Sequence, residues 1–326
     1  WVGVPLREGP GFWWAEVEVP EPAGSGYKLF GEDPAGWADP WARAFLYDEY
    51  GRLSLVAPSP ERPHLERWPA WEGRGLRARD VQVWVPAGTG PWPVVVVHDG
   101  QNLFDPGALW GGWRLGEALG SLEEGVLAVA LDNTADRMSE YTHAVDEVDG
   151  IGRVEPQGAD YADLVVLEVL PWAEARWPAD GRRAVMGSSL GGLISLYAAW
   201  RHPGVFDVAV SLSGTLGWGR FGAEGPAMED LYDSLEVPAA TALYVDSGGG
   251  PGVDGRCDDV DGDGLPEDDP DATDNYCTTR AFADARAAAG YRWQEDLVHW
   301  WEPGAAHNEA AWAARVQRPL TWWVGR

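Results

Sequence analysis

The sequence predicts an α/β chain: a mostly parallel sheet covered by helices on both faces and preceded by a small all-β module. Three observations predict it. From about residue 76 onward, short β-branched runs alternate with helical stretches, the pattern of parallel strands joined by crossover helices. Pro93-Val94-Val95-Val96-Val97-His98 shows no polar alternation, as a strand buried on both faces requires. Residues 1–66 instead show short strands punctuated by Pro and Gly, which suggests a small sandwich.

In chain order, Trp14-Ala15-Glu16-Val17-Glu18-Val19 alternates after Phe12-Trp13, and Pro20, Pro22 and Gly24 break the run before Tyr27-Lys28-Leu29-Phe30 resumes it. Trp37-Ala38-Asp39-Pro40-Trp41, followed by Tyr47-Asp48-Glu49-Tyr50-Gly51, resembles the immunoglobulin-like modules that precede catalytic domains in some esterases and glycan-active enzymes. That resemblance implies a module over 1–66, of the kind that also binds carbohydrate, packed against the catalytic domain and shaping its cleft. Pro58, Pro60 and Pro63 mark a linker, and the larger domain is expected over 67–326. Its strands are expected at Leu76 to Pro86, Pro93 to His98, Val126 to Leu131, Arg183 to Met186, Asp207 to Leu212, Thr241 to Asp246 and Asp296 to Trp300. Helices are expected near 160–175, 190–201, 276–289 and 308–318, with an Asp- and Gly-rich insertion at about 247–275.

Composition narrows the function classes. The chain of 326 residues carries 52 acidic and 24 basic side chains, a formal charge of -28, and Lys28 is its only lysine. Nucleic acid and anionic membrane surfaces would be repelled by such a surface. No apolar run approaches the roughly 20 residues of a membrane helix. The chain opens at Trp1 without a charged-then-apolar leader, which a removed export signal would explain. The two cysteines, Cys257 and Cys277, bracket the insertion, so a disulfide there is expected, and with it a secreted, periplasmic or cell-surface location.

The chemistry centres on Val185-Met186-Gly187-Ser188-Ser189-Leu190-Gly191-Gly192. A short strand enters a G-x-S-x-G turn and an Ala- and Leu-rich helix leaves it, the context that lifts a serine nucleophile above a sheet. Small residues at Gly187 and Gly191 let strand and helix approach closely, and the Leu190 N–H at the helix start can point at a developing oxyanion. A serine nucleophile needs a base, and six histidines are present. His307 follows a predicted strand and the Pro303-Gly304 turn and precedes the last helix, which brings it to the same sheet edge as Ser189. His98 and His143 are expected in pocket or structural roles, and His64, His202 and His299 outside catalysis.

Four stretches carry a family resemblance: His98-Asp99-Gly100-Gln101-Asn102-Leu103-Phe104-Asp105; Asp132-Asn133 with Arg137 and Glu140-Tyr141-Thr142; Gly187 to Gly192; and Gly304-Ala305-Ala306-His307-Asn308-Glu309-Ala310-Ala311-Trp312. In this order and spacing the chain resembles the esterase branch of the α/β-hydrolases, which includes esterase D, enterochelin esterases, feruloyl esterases and mycolyltransferases. The resemblance implies a Ser, Asp or Glu, His triad, with Ser189 attacking an acyl carbonyl and His307 acting as base and then acid. It implies oxyanion donors at Leu190 and Gln101; independently, the Val94 to Val97 strand ends at the same edge as Ser189. The acid in such enzymes follows the strand matching Thr241 to Val245, where this chain carries its insertion. Asp274, just before the next helix, matches best, and Asp246 and Asp254 are the alternatives.

Within the insertion, Asp259-Val260-Asp261-Gly262-Asp263-Gly264-Leu265-Pro266-Glu267 places carboxylates at alternate positions before a glycine, the first half of a calcium loop. Asp259, Asp261 and Asp263, the Leu265 carbonyl and Glu267 are the expected ligands. Pro270 stands where an EF-hand has its bidentate Glu, so Asp269 or Asp271 must complete the shell, and the loop is closer to the calcium repeats of extracellular proteins. A solvated acidic loop is the alternative. No cofactor for catalysis is expected.

Tryptophan is abundant, and Trp110, Trp113, Trp218, Trp300, Trp301 and Trp312 fall near predicted sheet-edge loops. Aromatic walls suit an aryl, sugar-linked or siderophore-like ester, and Trp218 is expected in the pocket. The function expected is therefore a serine carboxylic-ester hydrolase acting on a small-molecule or glycan-linked ester. An acyltransferase of the same fold, or a non-catalytic glycan- or surface-binding protein, is the alternative. The sequence does not specify the oligomeric state.

Overall fold

Successive side chains of a strand point to opposite faces, so a run of valines can feed two cores at once. In the computed structural model, which describes residues 3–32, 36–235, 240–260 and 262–326, Val94 and Val96 enter one core while Val95 and Val97 enter the other. All seven residues of that strand are buried, and each valine removed from water contributes about 2 kcal/mol.

The strands in chain order are β1 (Arg7–Gly9) and β2 (Phe12–Trp14), a separate hairpin; β3 (Gly26–Tyr27), β4 (Ala44–Asp48), β5 (Gly51–Leu55) and β6 (His64–Trp71); and β7 (Arg79–Val85), β8 (Trp92–His98) and β9 (Leu127–Leu131). A second small hairpin, β10 (Asp146–Val148) and β11 (Gly152–Val154), precedes β12 (Ala179–Ser188), β13 (Val208–Leu212), β14 (Ala242–Ser247) and β15 (Leu297–Trp301). Eleven of them form one sheet in the order β15-β14-β13-β12-β8-β9-β7-β6-β4-β5-β3. Neighbours from β15 to β9 are parallel, and those from β9 to β3 are antiparallel. The sheet is therefore parallel where the expected catalytic motifs fall and mixed as a whole.

Helices cover both faces. Those at 158–176, 190–201 and 276–289 pack with Val94 and Val96, and those at 115–120, 309–315 and 317–324 with Val95 and Val97. The first of these contains a π-bulge at Val165–Val169. The single helix expected at 308–318 is two, Glu309–Arg315 and Gln317–Val324. Pro319 sits in the first turn of the second, the position where its missing N–H costs no helical bond.

The expected immunoglobulin-like sandwich over 1–66 is not seen among the described residues. Instead β3 to β5 continue the main sheet through β6, which pairs with β4 on one side and β7 on the other. The physical reason is an edge: β7 closes the run of strands expected for the larger domain, antiparallel to β9, and its open N–H and C=O groups are satisfied by β6. Only β1 and β2 stand apart as a hairpin.

Candidate active site

Ser189 lies between β12 and the helix Leu190–Arg201, at φ 55° and ψ -125°. A non-glycine residue at positive φ is strained, and such strain persists only where the surroundings over-determine it. They do so here. A Cβ on Gly187 would meet the Gly191 carbonyl carbon at 2.4 Å, so strand and helix can cross only with glycine at that position. The Ser189 N–H bonds the Leu212 carbonyl at 2.9 Å, which ties the turn to β13.

The Ser189 hydroxyl faces a cavity of about 250 Å³ lined by Asp99, Asn102, Trp113, Arg137, Glu309 and Trp312 among others. Its nearest hydrogen-bonding neighbour is Thr215 Oγ1 at 3.4 Å. Thr215 also lines a second, larger cavity of about 390 Å³, with Leu216, Phe221, Thr273, Asp274 and His307. The His307 ring stands edge-on to Trp312, centroids 5.1 Å apart, and Trp312 walls the Ser189 cavity. Thr215 and Trp312 thus bracket the boundary between serine and histidine. Among the described residues no hydrogen bond joins Ser189 Oγ to His307, a looseness common in unliganded sites.

His307 Nδ1 is 2.8 Å from Asp274 Oδ1, which leaves Nε2 as the nitrogen available to a substrate-side proton. The Asp274 side chain is fully buried. Its Oδ2 accepts from Ser213 Oγ at 2.6 Å and the Gly248 N–H at 2.6 Å, and its Oδ1 from the Asn275 N–H at 3.0 Å. Burial alone would raise its pKa, but the bonds from His307 and Ser213, with the attraction of His307 and the Gly248 N–H, together hold it below the usual carboxylate value.

The other two candidate acids are occupied elsewhere. Asp246 is buried against Arg315, with contacts of 3.2 and 3.3 Å, and burial pushes its pKa up to about 7 in spite of that guanidinium. Asp254 is exposed beside Arg256. Ser213 connects the two buried acids: its Oγ donates to Asp274 and accepts from Arg315 Nη2 at 2.8 Å and Trp312 Nε1 at 3.1 Å.

Leu190, first in its helix, has no intrahelical acceptor for its N–H. Gln101 is the second residue of a single 3₁₀ turn, Gly100–Asn102, in which the first helical bond runs from the Asn102 N–H to the Asp99 carbonyl at 2.9 Å. The Gln101 N–H is therefore also outside the helical bonding. Asp99, at φ 61°, starts this turn and is gripped bidentately by Arg137 at 2.7 and 2.8 Å, with Asn133 Nδ2 at 2.6 Å. The Gln101 side chain accepts from the Asn133 N–H at 3.0 Å. His98 lies behind the loop, fully buried, its Nδ1 2.9 Å from Tyr161 Oη, and burial lowers its pKa to about 3. It is a neutral structural imidazole at any ordinary pH.

Trp218 is not in the pocket: it is buried, and its indole N–H donates to the Ala144 carbonyl at 2.8 Å. Its neighbour Phe221 takes the wall position. The loop bearing both is held by Asp146, a buried carboxylate that accepts from the Gly219, Phe221 and Gly222 N–H groups. Sequence reasoning missed Asp146, and nothing in its local pattern marks it.

The insertion is closed by the Cys257–Cys277 disulfide, which encloses Asp274. Asp268 fixes the base of the insertion by accepting from the Gly250, Tyr276 and Cys277 N–H groups. Carboxylate oxygens of Asp259, Asp263 and Glu267 lie within 4.8 Å of one another. Asp261 lies outside the described residues, and Leu265 is buried, its side chain against Gly217. No helix among the described residues is long and apolar enough to cross a membrane.

Comparison with known proteins shows the family and the fold. Residues 76–321 match the model of the Esterase family, described as "Putative esterase". The fold is similar to an IroE-like serine hydrolase from Shewanella oneidensis (19% identity over 78% of this chain and 79% of that one, TM-score 0.58). It is similar also to the enterobactin and salmochelin hydrolase IroE (18%, 81% and 96%, TM-score 0.57). A third similar structure is the enterobactin esterase FES from Shigella flexneri (21%, 88% and 70%, TM-score 0.57). No curated protein matches the sequence.

Proposed function

This chain belongs to the Esterase family and is a serine esterase, and from that premise we propose that Ser189, His307 and Asp274 form its catalytic triad. The observation that carries the proposal is the strained Ser189 elbow opening on a cavity beside a histidine whose Nδ1 is 2.8 Å from a fully buried carboxylate. Ser189 Oγ attacks the ester carbonyl as His307 Nε2 takes its proton, and Asp274 holds the ring in the tautomer that leaves Nε2 free. The tetrahedral oxyanion is met by the Leu190 and Gln101 N–H groups, each outside helical bonding. His307 then protonates the leaving alcohol, and water, activated by the same nitrogen, releases the acid from the acyl-enzyme. A third of the His307 side chain is open to solvent, which favours hydrolysis over transfer of the acyl group to another alcohol.

In this reading residues 67–326 are the catalytic domain and 1–66 an accessory β segment whose strands β3 to β5 extend the same sheet through β6. The insertion at 247–275 carries the triad acid and binds a structural Ca²⁺ through Asp259, Asp263 and Glu267, with Asp261 and the Leu265 carbonyl in the same loop. Its disulfide suits an exported protein. The substrate is a small-molecule ester, of the class that includes the siderophore esters named for the similar structures. Hydrolysis of p-nitrophenyl acetate and butyrate by wild type and Ser189→Ala, with and without a calcium chelator, tests these points. Turnover by wild type alone supports the triad, and a chelator-dependent loss of thermal stability supports the calcium loop. Equal turnover by Ser189→Ala refutes the triad.

A further inference from the structure

The cavity beside Ser189 has a charge that the triad does not explain. Glu309 is 7% exposed and lines it, held by Asn102 Nδ2 at 3.2 Å from Oε1. Among the described residues no Arg, Lys or His forms an ion pair with Glu309. The one guanidinium in the wall, Arg137, is bound bidentately by Asp99, so that pair cancels. The remaining net charge is that of Glu309. Glu309 opens the helix Glu309–Arg315, whose first-turn N–H groups favour a negative charge there, and a ligand cation in the cavity would add the ion partner it lacks. Trp113 and Trp312 line the same cavity, and an indole ring attracts cations as well as apolar groups. The overall charge of -28 draws cations towards the same site.

Which half of the ester enters this cavity follows from the proton. The leaving alcohol takes its proton from His307, so it departs on the side of the larger cavity lined by His307 and Thr215. An acyl group extending the other way from Ser189 would enter the cavity lined by Trp113 and Glu309.

We propose that the Glu309 cavity is an acyl subsite selecting esters whose acyl group carries a positive charge, of the alkylammonium class. The inference rests on the Ser189 triad reading and deepens it. The test compares kcat/KM for p-nitrophenyl esters of γ-trimethylammoniobutyrate, its neutral tert-butyl isostere and adipate, in wild type and Glu309→Gln. The Gln retains an acceptor for Asn102 and removes only the charge. In wild type the cationic ester is expected to exceed the neutral isostere at least about tenfold, and the adipate monoester to be the poorest. Glu309→Gln is expected to bring the cationic-to-neutral ratio within about threefold of unity, and added salt to lower it in wild type. A wild-type ratio at or below unity overturns the proposal, as does a ratio that Glu309→Gln leaves unchanged. Stronger selection for choline esters than for the cationic acyl ester overturns the acyl assignment. Should Glu309→Gln fail to fold, inhibition of wild type by free γ-trimethylammoniobutyrate, against none by adipate, decides the same question. The neutral ester separates the two readings: if wild type cannot hydrolyse it, and Ser189 does not react, the triad itself has failed.

Discussion

Replacing Ser213 by Ala should damage stability and catalysis together, although its hydroxyl lies behind the proposed triad acid. The hydroxyl donates to Asp274 at 2.6 Å and accepts from Arg315 Nη2 at 2.8 Å and Trp312 Nε1 at 3.1 Å, all in a fully buried position. Arg315 Nη2 keeps Asp246 at 3.2 Å, so the guanidinium is not orphaned. The Trp312 N–H loses its acceptor and Asp274 loses one of its donors, each costing about 1.5 kcal/mol, for a loss of about 3 kcal/mol in urea unfolding. Asp274 has a depressed pKa to which the Ser213 bond contributes, and Asp246, Asp268, Arg315 and His307 are the other charged or titratable groups bearing on it. Without Ser213 Oγ its carboxylate is more basic and attracts an imidazolium more strongly, so the acidic limb of kcat/KM should move to higher pH. Trp312→Phe removes the indole donor and part of the ring but keeps the Ser213 bond to Asp274, and should leave that limb in place. A Ser213→Ala protein within about 0.5 kcal/mol of wild type, with an unshifted limb, would refute the reasoning.

Further outcomes follow from the same contacts. Asp274→Asn should lower kcat on p-nitrophenyl butyrate by about four orders of magnitude, because an amide cannot hold the required His307 tautomer. Asp246→Asn, facing Arg315 rather than His307, should lower the urea midpoint and leave most of the activity in the protein that remains folded. Replacing both Cys257 and Cys277 by Ser frees a loop spanning 20 positions, a constraint of at most about 3 kcal/mol by chain entropy, and should raise proteolytic nicking of the insertion and lower activity, since Asp274 lies inside it. His98, whose folded-state pKa is about 3 against an ordinary 6.5, stabilises the fold fully only above the unfolded value, and that contribution falls as the pH drops towards 3. Between pH 6.5 and 5 wild type should therefore lose about 2 kcal/mol relative to His98→Phe, measured by urea unfolding. Asp132 and Asp246, raised to about 7, act with the opposite sign but are common to both proteins and cancel.

Much of this was legible in the sequence because it is local. The valine run of β8, the glycines at 187 and 191, and the helix at 190–201 each express a short-range constraint, and the structure meets them within a residue or two. What was not legible is pairing at a distance. The strands at 44–48 and 51–55 look like the members of a separate sandwich until β6 joins them to β7, a choice made by an open sheet edge rather than by their own composition. The same holds for the acids. The spacing favours Asp274 and leaves Asp246 and Asp254 as alternatives, and it is Arg315, 69 positions from Asp246, that occupies the former of these alternatives. The spacing of His307, Trp312 and Arg315 around one short helix is the only sequence signal that could have found it.

The central claim is that Ser189 is the nucleophile, and active-site labelling measures it most directly. Wild-type protein treated with a fluorophosphonate should gain the mass of one adduct, localised to the peptide containing Ser189, with loss of esterase activity in step, while Ser189→Ala gains none. Adduct formation on a different serine, or hydrolysis that continues in fully labelled protein, would contradict the account.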